Sequence, residues 1–192
     1  MCNTLFIETK RLKMQQVVQE DQDLFLSVYS NKDVLKYISE LLPIEKIQKH
    51  FQSRLPLWNK NNQQWLCFAI TLKETDEKIG IVELFPKWLP YQQAEIGYML
   101  LPAFHRNGYG CESVSAVLDF AFNKCSFNKV SATVTEGNNS SYKLLERLGF
   151  KQEGIIRENY KIADVWYNDV LYGLLKSEYT GTISLEREMF KC

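Results

Sequence analysis

The chain has 192 residues, 45% of them hydrophobic, enough to bury one core but short for two full domains. Lys plus Arg (23) balance Asp plus Glu (23), so there is neither the basic field that direct nucleic-acid binding calls for nor an acidic field for polycations. Five scattered cysteines, never in a C-x-x-C pair, argue against a disulfide framework and a zinc site, so no metal is expected. The start "MCNTLFIETKRLKM" lacks a signal-peptide pattern and no 18-residue apolar run follows, which predicts a cytoplasmic chain without membrane contact.

No repeat, low-complexity tract or Gly/Ser linker divides the sequence, so residues 1–192 are expected to form a single domain, with 180–192 as a C-terminal extension carrying a short helix. Residues 5–17 read as a strand. Leu24, Phe25, Val28 and Tyr29 then form a helix face opened by Asp21 or Asp23, and a second helical piece follows over 34–38. Ile44, Ile47, Phe51, Leu55 and Trp58 recur at spacings of three and four, an amphipathic helix that begins after Pro43 and is bent or ended by Pro56. The runs "WLCFAITL" (65–72) and "IGIVELF" (79–85) flank the polar turn "KETDEK" and predict an antiparallel hairpin. The loop "PKWLPYQQ" leads to a third run, "AEIGYMLL" (94–101), closed by Pro102, which has no N–H for a ladder.

The stretch "HRNGYGCE" (105–112) places Gly108 and Gly110 directly before an apolar stripe of Val114, Val117, Leu118, Ala121 and Phe122, so a helix begins at the glycines. A strand, "KVSATVT" (129–135), and a shorter helix over 138–148 follow, with Gly149 as a left-handed cap. Strands near 152–160 and 165–175 finish an α/β protein with a mixed sheet. A helix start offers unpaired N–H groups and partial positive charge, and glycines let an anion such as a pyrophosphate approach it. The same glycines also suit a plain tight turn. The pattern is neither G-x-x-x-x-G-K-[ST] nor G-x-G-x-x-G, because Ser113 stands at the third glycine position.

Together, "AEIGYMLLPAFHRNGYGCE", "VTEGNNSSYKLLERLGF", "EGIIRENY" and "WYNDVLYGLL" resemble the GNAT acetyltransferase superfamily, and within it the RimJ/RimL-type ribosomal-protein N-terminal acetyltransferases. The resemblance begins at "ETKRLKM", similar to that family's first strand, and runs to "DVLYGLL". It implies the GNAT fold: a mixed, mostly antiparallel sheet splayed between its fourth and fifth strands and flanked by helices. It implies acetyl-CoA as co-substrate, with the pyrophosphate cradled by a Q/R-x-x-G-x-G/A turn onto which His105, Arg106, Asn107, Gly108, Tyr109, Gly110 and Cys111 map. His105 stands where the family has Gln or Arg. Met99, Leu100 and Leu101 are the backbone along which the pantetheine arm would lie, as a ligand added to a strand edge.

Acetyl transfer to an amine requires a neutral amine, stabilisation of the oxyanion and a proton for the departing thiolate. The resemblance assigns the oxyanion to a backbone N–H near Met99, and Asn138 and Ser141 to the family's N-x-x-S motif, with Ser141 protonating or hydrogen-bonding the leaving sulfur. Both residues also suit a helix cap, and the roles are compatible. The tyrosine acid that many GNAT enzymes carry four residues before the Gly-Phe pair is Leu145 here, which favours the serine-using arrangement. Glu95 and Glu158 are the candidate bases, with a solvated or ion-paired role open for each. Cys111 reads as a packed residue rather than a catalytic thiol, and His50 as a polar-face residue rather than a ligand. Trp88 and Tyr91 suit an acceptor groove, a dimer contact or a covered core edge.

The expected acceptor is a primary amine, a ribosomal or other protein N-terminus. A small amine (polyamine, amino acid or antibiotic) and silent acyl-CoA binding are the alternatives, and monomer or homodimer both fit. An α-amino group has a pKa about 2.4 units below that of lysine, so neutralising it costs about 3 kcal/mol less. The absence of one commanding carboxylate therefore accords with an α-amine.

Overall fold

A computed structural model describes residues 5–181. They build one eight-stranded sheet in the order β1-β2-β3-β4-β5-β6-β8-β7. The single strand expected over 5–17 is instead a hairpin of β1 (Phe6–Glu8) and β2 (Leu12–Gln16). The chain reverses because the Thr9 hydroxyl accepts the Leu12 N–H at 2.9 Å while Thr9 N–H donates to the Leu12 carbonyl at 3.0 Å. A threonine side chain does here what Gly or Pro does in most turns, so the apolar pattern ran the two strands together.

Three helices follow: α1 (Gln22–Tyr29), α2 (Lys32–Leu35), whose N-cap Asn31 accepts from Asp33 and Val34 N–H, and α3 (Ile44–Gln52), which begins after Pro43 as expected. α3 stops before Pro56, because the Ser53 hydroxyl donates to the His50 carbonyl at 2.6 Å and occupies an acceptor the next turn needs. Leu55 and Trp58 pack from the loop beyond it. β3 (Leu66–Leu72), β4 (Lys78–Trp88) and β5 (Gln93–Leu100) run antiparallel in succession. Then come α4 (Tyr109–Asp119), a π-helical turn over Phe120–Lys124, β6 (Lys129–Thr135), α5 (Asn139–Arg147) and the long hairpin of β7 (Lys151–Ile162) and β8 (Val165–Leu175). Gly149 ends α5 with φ of 88°. The expected terminal helix, Cys2 and Cys192 lie outside the described residues.

Strand alternation sorts the core onto two faces. Leu66, Phe68 and Ile70 of β3, Val82 and Leu84 of β4, and Ala94 and Ile96 of β5 pack with α4. Cys67, Ala69, Ile81 and Met99 face α1 and α3, where Phe25 stacks on Tyr29 at 4.5 Å and tilts against Phe51 at 5.4 Å. Truncating a fully buried ring such as Phe51 to Ala costs about 3–5 kcal/mol.

The sheet has one weak junction. Among the described residues, β5 and β6 are the only parallel neighbours, and they pair at Gln93↔Lys129, Ala94↔Val130 and Glu95↔Ser131 alone. Past Glu95 the two strands part, which is the splay expected between the fourth and fifth strands, displaced by one number because the first strand is a hairpin.

Candidate active site

The splay leaves one edge of β5 open, and the register tells which peptide groups face it. Leu101 N–H donates to the Ile79 carbonyl at 2.9 Å, so residues 101, 99 and 97 point their backbone groups at β4, and residues 100, 98 and 96 point theirs away from it. The open edge thus presents Tyr98 and Leu100 rather than Met99, which moves the backbone groups expected at Met99 to its two neighbours. The Leu100 carbonyl already accepts from His105 Nε2 at 2.8 Å. Since a carbonyl only accepts, Nε2 carries the hydrogen. His105 ties the turn to the end of β5, a donor's task that Gln or Arg in the same place could also perform.

The turn itself is wound by two left-handed residues, Arg106 at φ 63° and Gly108 at φ 79°. An Arg in that region costs roughly 1–2 kcal/mol, whereas glycine adopts it freely. Gly108 is the N-cap of α4, and Asn107 braces the turn by donating from Nδ2 to the His105 carbonyl at 3.2 Å. Gly110 answers a different need: a Cβ there would come 2.9 Å from Leu144 Cδ1 and 3.2 Å from Leu100 Cδ1. It lets the first turn of α4 sit directly on α5 and β5. His105, Arg106, Asn107 and Gly108 are exposed, while Tyr109, Gly110 and Cys111 are half-buried.

A brace from the far end of the chain was missed by motif reading. Buried Glu112, in the first turn of α4, accepts from Arg11 N–H at 2.9 Å and from Arg11 Nε at 2.6 Å, and also from the Thr9 hydroxyl. Arg11 Nη1 then donates to the Asn107 carbonyl at 3.0 Å, and its guanidinium lies 4.5 Å over the Tyr109 ring. The β1–β2 turn therefore holds the glycine turn in place and sets a cation beside Gly108. Its signal was present as the charged pair "KR" between two short apolar stretches, but nothing local connects it with a glutamate 101 residues later.

The second junction, from β6 into α5, is built from short-range contacts. Asn138 Oδ1 accepts the Ser141 N–H at 3.3 Å, the cap expected of it, and the Tyr142 hydroxyl accepts the Gly137 N–H at 3.2 Å. Ser141 is half-buried and lies beside the phenol of Tyr98, which reaches across from β5. Burial pushes the Tyr98 phenol up to about 12, and the Ser141 side chain offsets part of that rise. The two side chains are neighbours, yet among the described residues the buried Tyr98 hydroxyl closes no hydrogen bond of good geometry. Burial also raises Tyr142. Leu145, where a tyrosine acid would stand, is fully buried packing.

The two glutamates sit in different places. Glu95 is at the closed end of the splay, where Lys87 pairs with it at 3.2 Å and Thr133 donates to it at 3.2 Å. Strand alternation turns it to the opposite face from Tyr98. Glu158 occupies a bulge of β7 at φ 47°, its N–H donating to Asn168 Oδ1 at 2.8 Å, while Asn168 Nδ2 donates to Glu136 Oε2 at 2.8 Å. Glu136 leads directly into Gly137 and Asn138, so Glu158 is linked to the second junction and Glu95 is not. Ile155, Ile156, Arg157, Glu158 and Asn168 line an open cavity of about 700 Å³. Glu40, from the segment between α2 and α3, crosses to the hairpin tip and accepts the Ala163 N–H at 2.9 Å. Tyr91 and His50 are exposed. Among the described residues, no group of three His, Cys, Asp or Glu is placed to hold a metal ion, and no helix is long and apolar enough to cross a membrane.

Residues 11–151 match the acetyltransferase (GNAT) domain family. An uncharacterised N-acetyltransferase, p20, of Bacillus licheniformis is 31% identical over 90% of this chain and 97% of its own length. Two solved structures share the fold at 18% identity. One is RimL, a ribosomal L7/L12 α-N-protein acetyltransferase in complex with coenzyme A, with a TM-score of 0.79 over 89% of this chain and 98% of that one. The other is spermidine N-acetyltransferase from Vibrio cholerae with CoA and spermine, with a TM-score of 0.78 over 89% and 99%.

Proposed function

The chain belongs to the GNAT acetyltransferase family and is an acetyl-CoA-dependent N-acetyltransferase, and from that premise we propose that it acetylates the α-amino group at the N-terminus of a polypeptide, a ribosomal or other protein. The observation that carries the choice of acceptor is the open groove along β7. Ile155 and Ile156 are 51% and 42% exposed there, in line with Glu158. An open trough with apolar shoulders suits an extended chain that leads its terminus inward, whereas a free small amine is best gripped by an enclosed pocket.

The site fits the co-substrate on its own geometry. The Gly108–Gly110 turn and the start of α4 present backbone to a pyrophosphate, with Arg106 and Arg11 as nearby cations. The open edge of β5 offers the Tyr98 backbone groups and the Leu100 N–H to the pantetheine amides, and His105, Asn107, Tyr109 and Cys111 shape the turn. Met99 and Leu101 support that edge through the β4 ladder. Acetyl-CoA supplies an acetyl group activated as a thioester. A backbone N–H of the β5 edge steadies the charge that develops on the carbonyl oxygen. The Glu158 carboxylate receives the amine proton as the N–C bond forms, while the Glu158 backbone N–H, through Asn168 and Glu136, fixes its place beside the second junction. The C–S bond breaks, its electron pair stays on sulfur, and Ser141, held by Asn138, supplies the proton that sulfur takes up. Glu95 serves as base only if the Lys87 contact opens.

A second reading, a small polycationic amine, is favoured by Glu158, which lines the groove, and by Glu136, one hydrogen bond away through Asn168. Thiol release from acetyl-CoA, measured with peptides bearing free or blocked N-termini, lysine peptides and polyamines and confirmed by product mass, separates the two. Free N-terminal peptides are expected to turn over at least tenfold faster by kcat/KM; polyamines leading the series would overturn the peptide assignment. Ser141→Ala is expected to lower kcat about 100-fold with KM for acetyl-CoA unchanged, the usual worth of a positioned acid.

A further inference from the structure

We propose that Tyr98 is a positioning residue for Ser141: its phenol donates a hydrogen bond to the Ser141 oxygen and so leaves the Ser141 hydrogen directed at the departing sulfur. The inference rests on the assignment of Ser141 made above. Its ground is geometric. The Tyr98 hydroxyl is buried, lies beside Ser141, and makes no hydrogen bond of good geometry among the described residues. A buried hydroxyl left in that condition costs roughly 1–3 kcal/mol, and such orphans are rare enough in folded proteins that each calls for a reason.

A serine hydroxyl has one hydrogen and two lone pairs. Within the first turn of a helix its hydrogen has several acceptors to choose from, including nearby carbonyls. A donor fixed on one lone pair restricts the directions left to that hydrogen. Tyr98 can serve as such a donor because its phenol stays protonated throughout the neutral and mildly alkaline range, burial having raised it to about 12. The proton that sulfur gains comes from Ser141, which recovers one from water.

The other phenol nearby is differently engaged. Tyr142 accepts the Gly137 N–H and tilts against Tyr172 at a ring distance of 5.8 Å. Leu145 brings no polar atom. Tyr98 therefore supplies a phenol from the strand wall of the site, where many relatives would supply one from the helix wall.

Tyr98→Phe removes one oxygen and tests the idea. The expected result is a fall in kcat of roughly five- to tenfold, KM for acetyl-CoA within twofold, and a melting temperature no lower than that of the parent. In the Ser141→Ala background, Tyr98→Phe should add no further loss. An unchanged kcat for Tyr98→Phe, while Ser141→Ala is slow, overturns the inference. So does a Tyr98→Phe penalty of the same size with or without Ser141, since Tyr98 would then act elsewhere. If Ser141→Ala alone leaves kcat unchanged, the assignment of Ser141 fails, and the inference with it.

Discussion

The two strand-to-helix junctions that border the splay are built on opposite plans. The turn from β5 into α4 is held chiefly from a distance: Arg11 and Thr9 reach Glu112 and Arg11 reaches Asn107, while His105 adds a local tie to Leu100. Its side chains brace, and its backbone is what faces outward. The turn from β6 into α5 is capped by residues within five positions of one another, with Asn168 of β8 reaching only the Glu136 that precedes it, and it turns hydroxyls inward at Ser141 and, from across the gap, Tyr98. A rigid backbone recess suits an invariant charged group, while adjustable hydroxyls suit a reacting atom. Damage to the first junction should therefore appear in KM for acetyl-CoA, and damage to the second in kcat.

The sharpest test of that division is Gly108→Val. A β-branched residue at φ 79° is strained and would crowd Arg11, whose Nη2 lies 3.3 Å from the Cβ position. KM for acetyl-CoA should rise at least about tenfold, with strain worth roughly 1–3 kcal/mol, and unchanged cofactor affinity in a folded variant would remove the turn from the binding site. Glu112→Gln comes next. It keeps the shape but discards the charge that Arg11 meets; Glu112 is 7% exposed and Arg11 37%, so solvent screening holds the cost to about 1–2 kcal/mol. A drop in melting temperature of about 2–6 °C with a few-fold rise in KM and an intact kcat is expected by calorimetry and kinetics; a selective loss of kcat would break the comparison. The smallest effect belongs to His105. His105→Ala should raise KM about threefold by freeing the Leu100 carbonyl, and His105→Gln should restore it, because only a donor is required. Equal values for Ala and Gln would show that the tie is idle.

What could be read in advance and what could not divides along sequence distance. Ile44, Ile47 and Phe51 announce α3 because helical spacing is a local property, and Asn138 announces its cap for the same reason. The glycine turn was legible, yet the distinct duties of its glycines were not: Gly108 answers to backbone conformation and Gly110 to the approach of Leu144 and Leu100. The hairpin at residues 9–11 escaped because a threonine side chain makes the turn. Arg11 and Glu112 escaped because their meeting depends on β1, β2 and α4 coming together. Tyr98 was hidden inside "AEIGYMLL", where an apolar alternation gives no hint that one ring ends in a hydroxyl without a partner. The displacement of the free backbone groups from Met99 to its neighbours needed the register of β4, which no composition records.

The short contact between β5 and β6 has a further consequence. Strands β1 to β5 and strands β6 to β8 behave as the two covers of a book whose spine is three residue pairs backed by the core under α4. Whatever lies along the open edge of β5 replaces ladder contacts the sheet lacks, so the co-substrate acts as binding thread as well as reagent. Its stabilisation follows its occupancy, about 2.7 kcal/mol at a concentration one hundred times its dissociation constant. A cell rich in acetyl-CoA would thus keep the two covers closed, and starvation for it would leave the same protein easier prey for proteases along that spine.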